Sequence, residues 1–134
     1  MFKRTGLVAG AIVLAAGAAL SAPEAKREAS ATDVAKGKVA RQVFDQLVAR
    51  YRNAEGYDID DLAFWSQHIL DAELVIATDA AQRTKACQAH IDRTQEIEKI
   101  AASHFKAGLG AQISTLAAEY YRLDAESKLN AQKP

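Results

Sequence analysis

Cysteine is almost missing from this sequence of 134 residues: Cys87 is the only one. That excludes an intrachain disulfide framework, a four-thiolate metal site and a covalent haem attachment motif. Proline occurs twice and glycine seven times, too few turn residues for a sandwich, a barrel or a collagenous chain. No sign of charge is in excess, since lysine plus arginine and aspartate plus glutamate number 17 each. A nucleic-acid binder normally carries a basic surplus, so that class is set aside. There is no Gly-rich phosphate loop, no Gly-x-Ser-x-Gly elbow and no His-Glu-x-x-His, and the expectation is a protein that is not an enzyme.

What is present begins with an export signal. Lys3 and Arg4 form a basic start, and Gly6 to Leu20 is uncharged and rich in Ala, Val and Leu. Ala19 and Ser21 are small residues of the kind a signal peptidase accepts, so cleavage is expected after Ser21 or Ala22. An uncleaved anchor is the alternative, but the apolar stretch is shorter than the roughly 20 residues of a spanning helix. The only cysteine is far from this segment, which rules out lipid attachment there. With residues 1–21 removed, the mature chain carries a net charge near −2 and no second apolar run long enough to cross a membrane. The expected location is the periplasm or the exterior. Residues 22–31 are polar and aperiodic and read as a flexible leader.

From residue 32 to 130 the apolar residues recur at helical spacing, and the expected fold is all-α: four antiparallel helices forming two related hairpins. Val39, Val43, Phe44, Leu47, Val48 and Tyr51 make the stripe of the first helix, with Asp33 as its cap, and Gly56 lies in the turn that ends it. Asp58 caps a second helix carrying Leu62, Trp65, Ile69 and Leu70. Asp79 and Gln82 have capping-box spacing before a third helix over 80–106. Its inward line is expected to be Cys87, His90, Ile91, Thr94, Ile97, Ala101 and Phe105. A turn at Gly108 leads to a fourth helix from about Ile113, with Leu116, Ala117, Tyr120, Leu123 and Ser127 on one side. Residues 131–134 form a frayed tail.

The two halves match. Tyr51 and Phe105 precede the turns, Gly56 and Gly108 lie in them, and Asp71-Ala72-Glu73 and Asp124-Ala125-Glu126 fall at the same place in the following helix. The offset changes from 54 before the loop to 53 after it, so one residue separates the two turns in length. Repetition of this kind lets a helical unit bury a face it cannot bury alone.

In the second half, Phe105, Gly108, Leu116, Ala125 and Leu129 follow an aromatic-x-x-Gly turn, a leucine eight residues on and an Ala-x-x-x-Leu ending. This segment resembles the repeating helical hairpin of outer-membrane efflux proteins of the TolC type. It is also similar to small exported planctomycete-like proteins of unknown function with the same two-hairpin pattern. The likeness covers about 25 residues well and about 25 more loosely. The chain lacks the strands and the length of an efflux channel, so the resemblance does not imply channel activity. It implies a periplasmic hairpin that packs side by side with similar hairpins.

Few groups suggest chemistry. Cys87 and His90 stand at i, i+3 on one helical face and, with His68, are the candidate metal ligands. The competing reading is a packed thiol with His90 at the core edge. His68 and Asp71 share a face that is ordinarily solvated. Glu55, Asp58, Asp60 and Asp61 miss the calcium-loop spacing and serve a helix N-terminus equally well. Of the aromatic pairs Phe64-Trp65 and Tyr120-Tyr121, core packing of both members is the expectation; the alternative is one member of each exposed, with Trp65 and Tyr121 as the candidates for contact with a protein partner. The function expected is association through helix faces, with another protein or with itself, using no cofactor and no small-molecule substrate. The alternative is a periplasmic metal-binding or stress-responsive protein using His68, His90, His104 and nearby carboxylates.

Overall fold

The computed structural model describes residues 29–56 and 58–133. The expected signal segment 1–21, most of the leader at 22–31, Tyr57 and the last residue of the tail lie outside the described residues. Among those described there are four helices and no strand: α1 (Ala31–Arg52), α2 (Ile59–Ile76), α3 (Ala80–Lys106) and α4 (Gln112–Asn130). No described helix is long and apolar enough to cross a membrane.

Each start has a local cause. Ser30, one turn earlier than expected, caps α1: its hydroxyl accepts from the Asp33 amide and the Asp33 carboxylate accepts from the Ser30 amide. Asp33 is therefore the returning half of a capping box, not the cap itself. Asp58 accepts from the Asp60 amide at 2.9 Å to open α2. Asp79 accepts from the Gln82 amide at 2.8 Å to open α3, while the Gln82 side chain reaches past the cap to the Thr78 amide. Only α4 begins without a side-chain cap.

The two long turns differ by the one residue that the offset implies. Residues 53–58 join α1 to α2 and residues 107–111 join α3 to α4. Gly56 (φ 76°) and Gly108 (φ 72°) take the left-handed conformation that an L side chain resists. The first turn also forces Ala54 to φ 58°.

α2 and α3 form the middle of the array. α1 packs mainly on α2, α4 packs mainly on α3, and α1 and α4 do not meet. The core follows from this order. Leu62, Ile69, Leu70 and Ile97 are fully buried, together with Phe44, Tyr51, Ile59 and Ile100. Burying an aliphatic side chain of this size contributes about 1.5–3 kcal/mol, so the central pair supplies most of the apolar driving force. At the α1–α2 seam Gly37 comes so close to Ala72 that an added Cβ would lie 3.2 Å from the alanine methyl. At the turn end of the array His104 donates from Nε2 to the Tyr51 carbonyl at 2.6 Å and ties α3 to α1.

Three phase expectations are corrected. Val39 is 53% exposed, and the inward stripe of α1 runs through Gly37, Ala40, Phe44, Val48 and Tyr51. Phe105 is exposed and His104 takes its inward place, because the imidazole can satisfy a helix-end carbonyl that a phenyl ring cannot. The largest change is in α4. Only Ala118 and Ala125 are buried there, and Ile113, Leu116, Tyr120 and Leu123 are between 50% and 71% exposed. Small residues permit the close approach to α3, and the larger apolar row is left outside.

Candidate functional site

A run of polar side chains crosses the middle of the array. Arg41 of α1 donates to Glu73 at 2.6 Å, and Arg93 of α3 donates to the other oxygen of the same carboxylate at 3.2 Å. Arg93 also donates from Nε to the Ser66 hydroxyl at 3.2 Å, and Ser66 lies 2.9 Å from His90 Nδ1. Ser66 is completely buried and His90 nearly so. A guanidinium can only donate, so Ser66 receives from Arg93 and has its own proton left to give. With a second lone pair as well, that hydroxyl can either give its proton to Nδ1 of His90 or accept one from it. Burial, reinforced by the Arg93 and Lys128 charges, pushes the imidazole down to about 4, against the weaker pull of Asp124 and Asp71. His90 is neutral at pH 7.

Nε2 has no protein partner among the described residues, and His90 lines a cleft of about 410 Å³ between α2 and α4. α3 supplies its floor through His90 and Thr94. Thr94 gives its hydroxyl proton to the Ile91 carbonyl at 2.9 Å. The walls carry Phe64 and Gln67 on one side and Tyr120, Tyr121 and Asp124 on the other. Two cross-links between α2 and α4 stand beside it: Tyr121 donates to Asp60 at 2.7 Å, and Lys128 donates to Gln67. Lys128 also pairs with Asp124 at 2.6 Å. Burial and the neighbouring Asp60 raise the Tyr121 phenol to about 12, so it stays a donor.

The candidate ligands are not gathered. Among the described residues no three of His, Cys, Asp and Glu stand together as a metal site would require. Cys87 is buried beside Leu70 and Ala86, and burial pushes its thiol up. It shares a helix face with His90, whose Nδ1 points instead to Ser66. His68 is exposed on the far side of α2 against the Phe64 ring, and His104 is committed to Tyr51 at the turn end. Of the acidic group, Asp58 caps α2, Asp60 accepts from Tyr121 and Asp61 accepts from Tyr51.

The aromatic pairs do not both pack in the core: one member of each is out and one in, and the exposed members are not the candidates Trp65 and Tyr121. Trp65 and Tyr121 are half-buried against the core, and Phe64 and Tyr120 are the exposed members. Phe64 and Trp65 border a shallow groove of about 650 Å³ between α1 and α2, with Val39 and Val75 along it. Leu109, in the turn before α4, is exposed as well.

Sequence reasoning missed Ser66, Glu73 and Arg93 as partners. One signal was available: Ser66 interrupts the apolar stripe of Leu62, Ile69 and Leu70, and a hydroxyl on a buried stripe demands a partner. No family model matches the chain, and neither a curated protein nor a solved structure is similar to it.

Proposed function

We propose that this chain is an exported, non-catalytic helical protein of the cell envelope that works by association, through the outer face of α4. One observation carries the reading: Ile113, Leu116, Tyr120 and Leu123 recur at i, i+3, i+7 and i+10 on a single helix face and are at least half exposed. A contiguous apolar row of this kind is the usual mark of a contact surface, because isolated apolar residues on a monomer do not line up along a helix. The free outer edges of α1 and α4 give the same support, as does the likeness of the α3–α4 turn to hairpins that pack side by side.

The test is sedimentation of the exported chain over a hundredfold concentration range with reductant present. The expected result is a fixed or reversible oligomer that Leu116→Glu with Leu123→Glu converts to a monomer of unchanged helicity. A monomeric mass throughout, identical in the double variant, would remove self-association. Export is checked by cell fractionation and the N-terminal residue of the mature chain, expected to be Ala22 or Pro23. Turnover of any substrate that is lost in His90→Ala would overturn the non-catalytic part.

A further inference from the structure

We propose that this chain associates head to tail with copies of itself: the α1–α2 hairpin of a second copy lies on α4 as the α3–α4 hairpin lies on α2. The proposal rests on the association reading and adds the partner, the partner's face and the direction of assembly.

The repeat supplies the geometry. Positions in α1 and α3 match at an offset of 54, and positions in α2 and α4 at 53. Each contact that α2 makes with the second hairpin therefore has a matched pair of positions, one on α4 and one on the α1–α2 hairpin. Ser66 meets His90 at 2.9 Å, and the matched pair is Glu119 and Lys36. Tyr121 donates to Asp60, and the matched pair is His68 and Ile113. Lys128 donates to Gln67, and the matched pair is Val75 and Tyr120. Each set falls on one surface. Glu119, Ile113 and Tyr120 are exposed on α4, beside Leu116 and Leu123. Lys36, His68 and Val75 line the groove between α1 and α2, together with Val39. α1 and α4 do not touch within one chain, so these pairs form only between copies.

The side chains at the matched places suit each other. Tyr120 and Val75 are both apolar and are 66% and 44% exposed. Glu119 and Lys36 carry opposite charges, lie exposed, and have no side-chain partner among the described residues. An opposite pair in an apolar surround fixes the register of two copies. Val39 stands in the place of Arg93, and Glu126, which matches Glu73, is already held by Arg122. No carboxylate is therefore covered without a counter-charge. The two surfaces differ, so the contact is heterologous and assembly can continue past two copies.

The test spoils the surfaces separately and reads mass by sedimentation of the exported chain. Val39→Glu with Val75→Glu alters the groove, and both valines are exposed enough to leave the core alone. Leu116→Glu with Leu123→Glu alters α4. Each variant alone is expected to be monomeric with unchanged helicity. An equimolar mixture is expected to form a one-to-one dimer, because each variant keeps the surface that the other has lost. Lys36→Glu should weaken self-association about fivefold, and adding Glu119→Lys to the same chain should restore it. An unaltered chain that is monomeric throughout removes the association reading and this proposal with it. An oligomer that persists in the groove variant, or two monomeric variants that stay apart when mixed, overturns the head-to-tail contact alone. Should the groove variant lose helicity, the charge pair decides, and reversal without effect or without rescue overturns the contact.

Discussion

α2 and α4 are the second helices of two matching hairpins, and they spend the same motif differently. Both carry Leu-Asp-Ala-Glu at the same distance from their turn, at 70–73 and at 123–126. In α2 the leucine is 1% exposed, and in α4 it is 50% exposed. Glu73 binds arginines from α1 and α3 at once, whereas Glu126 pairs with Arg122 of its own helix. The two aspartates behave alike, each held by a residue four places away within its helix. Place in the array explains the contrast. α2 lies between α1 and α3, whereas α4 packs on α3, touches α2 along one side and has no helix against its outer face, so identical side chains become core in one helix and surface in the other. Local pattern decides that a helix forms, and place in the array decides what it buries.

Substitutions at matched positions can break this comparison. Leu70→Ala should cost about 2–5 kcal/mol of stability, and Leu123→Ala no more than about 0.5 kcal/mol, both read by urea denaturation. Similar losses at the two sites would mean that α4 is as enclosed as α2. Next in size is the pH response of the middle. His90 has a lower proton affinity folded than unfolded, so its contribution is complete above about pH 6.5 and declines as pH falls towards 4. The loss reaches roughly 3 kcal/mol at most. It is resolved from the carboxylates by measuring denaturation midpoints between about pH 6.5 and 5, and NMR of the ring gives the midpoint directly. A midpoint near that of a free imidazole would mean that water reaches the centre.

The glutamates give a smaller contrast. Glu73→Gln leaves Arg93 partly buried without its counter-charge and should cost about 1–3 kcal/mol, while Glu126→Gln should cost no more than about 0.5 kcal/mol. Equal effects would show that the three-helix bridge is no stronger than a surface pair. The smallest effect concerns the turns. Ala54→Gly relieves a left-handed alanine and should raise stability by about 0.5–1 kcal/mol, detected as a higher thermal midpoint. Gly108→Ala imposes on the second turn the strain that Ala54 carries in the first, and should lower the midpoint by a comparable amount.

Much of the fold was legible because its signals are local. The span of α3, the turns at Gly56 and Gly108 and the unequal turn lengths all follow from capping residues, glycines and the repeat offset. The phase of α4 was not legible. A helical wheel shows the row Leu116, Tyr120 and Leu123 as the natural inner face, but it cannot show that no helix covers that face or that Ala118 and Ala125 let α3 approach closely on the other. The same limit applies to the cleft. His90 stood out in the sequence, yet its hydrogen bond to Ser66, and through Ser66 the link to Arg93, exists only because α2 pairs with α3.

The separation of α1 from α4 has a consequence for how such a chain can grow. A closed ring of helices has no room for another hairpin, and duplication within it produces a clash or an unfolded insert. An array with two free edges has no such bar. A third hairpin of the α3–α4 kind would lie against Ile113, Leu116, Tyr120 and Leu123, turning the present α4 into an interior helix like α2. Length in this architecture is a matter of copy number, and every added copy covers the outer face that its predecessor leaves open.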